Sequence, residues 1–215
     1  AVAAEVTALR IGDREGYIAM QRSASEAWLS AQNERFTDYQ QLKAESDVQL
    51  TAQVQALEID GQRARATIEE IIDGVPYVRV WFYWRYEEGW YHVPPDYTFW
   101  GAEQTQQRER FSVRYRDTDE RFAAALADNL DRWLTTACMA ITCEALPPIT
   151  FDVVTDVLEQ PVWVNDDSAW QMVVTSPYVS QARSDQPFSF DAQVEIATLL
   201  ADQLIDHATN AMAPA

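Results

Sequence analysis

His92 is the side chain best suited to move a proton near neutral pH. It closes the run YVRVWFYWRYEEGWYHV at 77–93. A histidine base needs a nucleophile or a second acid within reach, and no Ser, Cys or second His lies near it in sequence. The simpler reading is a histidine satisfied within a sheet. Cys138 and Cys143 stand five apart in CMAITC, the wrong spacing for a redox C-x-x-C. Two thiols are too few ligands for structural zinc. On an intact helix they would point about 140° apart. The following Ala145-Leu146-Pro147-Pro148 ends any helix there, so the pair is either a short disulfide at a helix terminus or two buried thiols. Six glycines form no G-x-x-x-x-G-K-[ST] or G-x-G-x-x-G phosphate loop, and no G-x-S-x-G nucleophile elbow occurs.

The 215 residues suffice for one large domain or two small ones. Thirteen basic and 19 acidic residues precede Asp119, and three basic and 15 acidic residues follow from there, giving −18 overall. That sign opposes nucleic acid and anionic membrane surfaces. Eight Trp, nine Tyr and eight Phe are too much to leave unburied, which excludes a disordered chain. No window reaches the ~18 apolar residues of a membrane span. The chain starts at Ala1 rather than Met, which is read as either a processed form, with an amino-terminal signal or anchor removed, or an excised piece.

The elements that must position these residues begin with helices. Residues 3–20 carry Val6, Ala8, Leu9, Tyr17, Ile18 and Met20, with a charged break at Gly12-Asp13-Arg14-Glu15. Residues 23–43 carry Trp28, Leu29, Phe36 and Tyr39 near a 3.6 period, capped by Ser23 or Ser25. Leu50, Ala52, Val54 and Ala56 then alternate with polar residues, and Asp60-Gly61 and Asp73-Gly74 are turns bounding a strand at 63–72. A turn at Glu88-Gly89 pairs Tyr86 with Tyr91 and Trp84 with Val93. One face then holds Val80, Phe82, Trp84, Tyr86, Tyr91 and Val93, and reads as the face beneath the helices. The other holds Arg79, Trp81, Tyr83, Arg85, Trp90 and His92. Its exposed rings call for a cover, which the acidic second half, a dimer mate or a ligand could supply, the second half being the expected one.

The order of two helices and a strand meander, with the phrases IGDREGYIAM, DGQRARATIEE and EEGWYHVPPDYTFWG, resembles the nuclear transport factor 2-like superfamily over about 3–101. That superfamily, of cystatin-like fold, includes ketosteroid isomerase and SnoaL-like cyclases. The resemblance implies a curved antiparallel sheet wrapped around helices, a cone with an apolar pocket. Isomerase-type members use a carboxylate base with acidic hydrogen-bond donors. Asp38 and Tyr39, or Asp96 and Tyr97, are the nearest residues of that type, and they read more simply as a helix face and a turn.

After the polar stretch 103–109, Phe111, Val113 and Tyr115 alternate as a strand. Asp117-Thr118-Asp119 caps a helix with the stripe Phe122, Leu126, Leu130, Trp133, Leu134 and Ala137. Strands follow at Ile149–Val153 and Trp170–Thr175. A last helix carries Val194, Ala197, Leu200, Ala201, Leu204 and Ile205. This order is similar to the front part of gluzincin peptidases of the peptidase MA type, over about 108–207. Asp202, Gln203 and Asp206 then stand where those enzymes have His, Glu and His, which implies a non-catalytic relative without metal.

The expectation is therefore an α+β protein: a helix-wrapped curved antiparallel sheet at 1–102, then a smaller α/β domain at 103–215. The expected function is non-enzymatic, extracytoplasmic binding, with cytoplasmic placement as the alternative. Trp28, Tyr39, Phe82, Trp84, Tyr86, Tyr91, Arg85, His92 and Trp90 are the candidates for a pocket or binding face. A small apolar ligand or a protein is the expected partner, with neither nucleic acid nor direct membrane contact. No cofactor and no metal are expected. The rivals are an isomerase-, dehydratase- or cyclase-type enzyme using the first pocket, and a module that homodimerises through its sheet.

Overall fold

The computed structural model describes residues 1–141, 143, 146–164 and 168–212. The protein is α+β, and it divides into two compact units, Ala1–Trp100 with Ser180–Asp185, and Gly101–Val179 with Gln186–Ala215.

The first unit opens with α1 (Val2–Ile11) and α2 (Arg14–Ala19), where one helix was expected. The break is Gly12, at φ 76°, a left-handed conformation that glycine adopts without strain. The Asp13 side chain then accepts from Gly16 N–H and starts α2. Ser25 caps α3 (Glu26–Glu45) by accepting from Trp28 N–H.

The antiparallel sheet contains β1 (Val48–Asp60), β2 (Arg63–Ile72), β3 (Val75–Tyr86) and β4 (Gly89–Val93). A late two-residue strand, Ala182–Arg183, pairs with Val78 and Tyr77 of β3. Asp73 and Gly74 both have positive φ, as a tight hairpin turn requires. The β3–β4 turn is Glu87-Glu88, so Tyr86 pairs with Gly89 and Trp84 with Tyr91, two residues from the expected register. A slip of two preserves the faces.

Which face the helices cover is the reverse of the expectation. Trp81, Tyr83 and His92 are buried beneath α1, α2 and α3, together with Ala64, Ala66 and Ile68. The cover thus comes from the same unit, not from the second half. The reason lies in β2. Ala66 pairs with Trp81 and Ala64 with Tyr83, so small side chains leave room for large ones. The opposite face of β2 presents Arg63, Arg65, Thr67 and Glu69, which suit solvent better. There Arg63 and Arg65 sit over the Phe99 ring at 4.4 and 5.4 Å, and Trp100 stacks on Phe82 at 6.0 Å.

In the second unit the stretch expected to be a joint forms β5 (Glu103–Gln107), antiparallel to β6 (Phe111–Arg116). Helix α4 (Glu120–Ala140) makes the crossover from β6 to its parallel neighbour β7 (Ile149–Val154). β9 (Trp170–Thr175) continues the parallel set, and β8 (Val162–Trp163) closes the edge. The final helix, α5 (Phe190–Met212), buries Ile196, Leu200 and Leu204. Its expected stripe is rotated, leaving Val194 and Ile205 exposed. Cys138 and Cys143 form a disulfide at the end of α4, with Cα atoms 5.4 Å apart.

Candidate functional site

Two polar clusters lie under the helices of the first unit. The inner one centres on Glu5, which shares the buried side of α1 with Val6, Ala8 and Leu9. One of its carboxylate oxygens lies 2.7 Å from His92 Nδ1 and accepts from Gln21 Nε2 at 2.9 Å. The other accepts from Tyr83 Oη at 3.0 Å. Burial by itself would raise the Glu5 pKa. The charge and hydrogen bond of His92 outweigh it, helped by Gln21 and Tyr83, and hold the carboxyl below its ordinary value. Burial, then the facing Glu5 charge and hydrogen bond, push the Tyr83 phenol well up. His92 is 3% exposed and enclosed by three rings: Trp81 at 5.2 Å, Tyr83 at 5.3 Å and Trp28 at 5.6 Å.

The outer cluster borders an open cavity of about 360 Å³. Helix α3 contributes Arg35, Asp38, Tyr39 and Leu42, which recur at helical spacing along one side. Leu9 comes from α1, and Leu50, Glu70, Arg79 and Trp81 come from the sheet. Glu70 is buried because it continues the Ala64, Ala66, Ile68 alternation of β2. It accepts from Arg79 Nε at 3.0 Å and from Gln181 Nε2 at 2.7 Å. Arg79 Nη2 donates to Gln181 Oε1 at 3.1 Å, so this triad is closed.

Four buried polar atoms of these two clusters are not satisfied. Tyr39 Oη and Trp81 Nε1 are buried without a hydrogen-bond partner, as are Trp28 Nε1 and Gln21 Oε1 of the inner cluster. Burial, then the Glu70 charge, pushes the Tyr39 phenol up to about 12. Arg35 is half-buried, and its guanidinium lies 5.9 Å from the Trp81 ring centroid. Among the described residues it makes no ion pair and no hydrogen bond.

Of the residues singled out from sequence, Tyr39 lines the cavity. Trp28 and His92 belong to the inner cluster, and Trp90 packs partly buried against the same core. Arg85 is exposed. Phe82, Trp84, Tyr86 and Tyr91 lie on the opposite face, with Arg22 over the Tyr86 and Tyr91 rings at 4.4 and 5.0 Å. They do not line the cavity, because the helices cover the Trp81 side. Sequence reasoning missed Glu5, Arg35 and Glu70 as site residues. Their common signal is a charge at an apolar position of its own element's period.

In the second unit Asp202 and Asp206 are exposed on α5, and His207 packs edge-on against Trp170 at 5.2 Å. Among the described residues no three His, Cys, Asp or Glu side chains are grouped to hold a metal, and no helix is long and apolar enough to cross a membrane. No protein-family model, no curated protein and no solved structure matches the chain.

Proposed function

We propose that the first unit is a non-enzymatic module that binds a small, largely apolar molecule in the cavity between α3 and the sheet. One observation carries this reading. The cavity is open and walled by Leu9, Leu42, Leu50, Tyr39 and Trp81, while the proton-moving pair Glu5 and His92 lies buried outside its wall. Its volume of about 360 Å³ falls at the small end of ligand pockets, roughly 300–1,000 Å³. An isomerase-, dehydratase- or cyclase-type reaction would need its base at the substrate, and the enclosure of His92 disfavours it. Burial of Trp81 likewise disfavours dimerisation through that sheet face.

The helices packed on one face of an antiparallel meander support reading this unit as nuclear transport factor 2-like. The second unit is read as a non-catalytic relative of gluzincin peptidases, on the order of its elements. The Cys138–Cys143 disulfide supports an extracytoplasmic setting.

The neutral probe N-phenyl-1-naphthylamine, which brightens in apolar surroundings, tests the binding reading. Saturable binding at one site per chain is expected. Leu42→Trp fills the cavity and should abolish it. Unsaturable binding, or binding undiminished in Leu42→Trp, contradicts the reading.

A further inference from the structure

We infer that the outer face of α5 docks an amphipathic helix of a partner protein, apolar along one side and basic along its flank. The site lies wholly in the second unit and is independent of the cavity.

Helix α5 carries three rows of side chains where a surface helix usually carries two. Ile196, Leu200 and Leu204 are buried, and at 100° per residue they fall within about 80° of one another. Phe190, Val194, Ala197, Ala201, Ile205 and Ala208 fall within a second arc of about 80° beside the first. Phe190 is 70% exposed, Val194 49% and Ile205 54%, with Ala201 exposed between them. Asp191, Glu195, Asp202 and Asp206 make the third row, all exposed. A helix that serves a single core needs one apolar stripe. The apolar arc of α5 is about twice as wide as the part that its core covers. Single exposed apolar residues are ordinary, but a continuous row over about four turns marks an interaction face.

The relief of the row fits another helix. Ala197 and Ala201 at its middle let a second helix axis approach closely, and Phe190, Val194 and Ile205 give larger side chains to interlock towards the ends. Anchors three and four residues apart are the way an amphipathic helix is recognised on an apolar surface.

Charge decides what that helix must be. No Lys or Arg lies on α5 to answer its acidic row, and among the described residues none of the four carboxylates is ion-paired. From Asp119 on, the chain has three basic residues against 15 acidic ones. A second copy would bring the same sign to the contact, which is costly, and an anionic membrane surface is repelled for the same reason. A helix with Lys or Arg beside its apolar row is attracted to Asp191, Glu195, Asp202 and Asp206, and is steered in by the wider field.

Fluorescence anisotropy of a labelled Leu/Lys peptide, LKKLLKLLKKLLKL, mixed with the full chain at pH 7 and about 0.15 M salt tests the inference. Saturable binding of one peptide per chain is expected, with none for the Leu/Glu counterpart LEELLELLEELLEL. Val194→Asp combined with Ile205→Asp should weaken binding about tenfold or more. Both changes add negative charge, so bare attraction between opposite charges would make binding tighter instead. Both positions are exposed, so the melting temperature should be kept. Glu195→Gln combined with Asp202→Asn should also weaken binding and flatten its salt dependence. Binding undiminished in Val194→Asp/Ile205→Asp, equal binding of the Leu/Glu peptide, or no binding at all overturns the inference. Sedimentation of the full chain should show a monomer. A dimer that Ile205→Asp dissociates would give the face to a second copy and overturn the basic partner.

Discussion

Trp81 stacks on His92 with ring centroids 5.2 Å apart, and the same indole lines the cavity. One side chain therefore separates the two polar clusters. Beyond it the Glu5 carboxylate is fully satisfied by His92, Gln21 and Tyr83. Four buried polar atoms around the indole have no partner: Tyr39 Oη, the Trp81 Nε1 itself, and Trp28 Nε1 and Gln21 Oε1 of the inner cluster. The satisfied Glu5 carboxylate rigidifies the core, whereas each unpartnered atom costs stability.

Trp81→Ala is expected to destabilise the first unit by about 3–5 kcal/mol, the range for truncating a buried large aromatic. It also opens His92 to water. Chemical denaturation followed by far-UV circular dichroism reads the loss. A change below about 1 kcal/mol would mean that Trp81 is not the wall described.

Glu5 predicts an acid limit. Its folded pKa lies below the ordinary value of 4.5, so its contribution is present above the unfolded pKa and is lost as pH falls through the folded one. Melting temperature should hold from neutral pH down to about 4.5 and decline below that. Glu5→Gln should melt lower than wild type at pH 7 and show a shallower decline in acid. Parallel melting profiles would remove Glu5 from the account.

The helix–meander order was legible because its turns carry their own chemistry, as at Gly12, Asp60-Gly61 and Asp73-Gly74. The face that the helices cover was not read correctly, because β3 alone carries rings on both sides. The deciding signal sat one strand earlier, where Ala64, Ala66 and Ile68 alternate with Arg63, Arg65 and Thr67. The site was harder. Glu5, Arg35 and Glu70 look like ordinary surface charges until their period is compared with that of their apolar neighbours. Gln181 completes the Glu70–Arg79 pair from 102 positions beyond Arg79, a separation that no local pattern encodes.

Arg35→Met should raise the melting temperature of the protein, because burial and the Arg79 charge together outweigh the favourable charges of Tyr17, Glu5 and Glu70 on this half-buried cation. Calorimetry of the two proteins side by side checks it, and a lowered melting temperature would show that Arg35 is already compensated.

Cys138 and Cys143 are bonded, so thiol titration of the denatured protein should find no free thiol before reduction and both afterwards. The closed loop is short, and replacing both by Ala should cost less than the ~3 kcal/mol of a 15-residue loop. Free thiols in unreduced material would contradict the bond.

The indole N–H resonance of Trp81 gives the most direct reading of the central claim. It can be assigned by its disappearance in Trp81→Phe and followed by proton–nitrogen correlation spectroscopy during titration with N-phenyl-1-naphthylamine. The account predicts a progressive, saturating change of that resonance, because Trp81 lines the cavity, and no such change of it in Leu42→Trp. A Trp81 resonance that stays fixed up to saturating probe would contradict it.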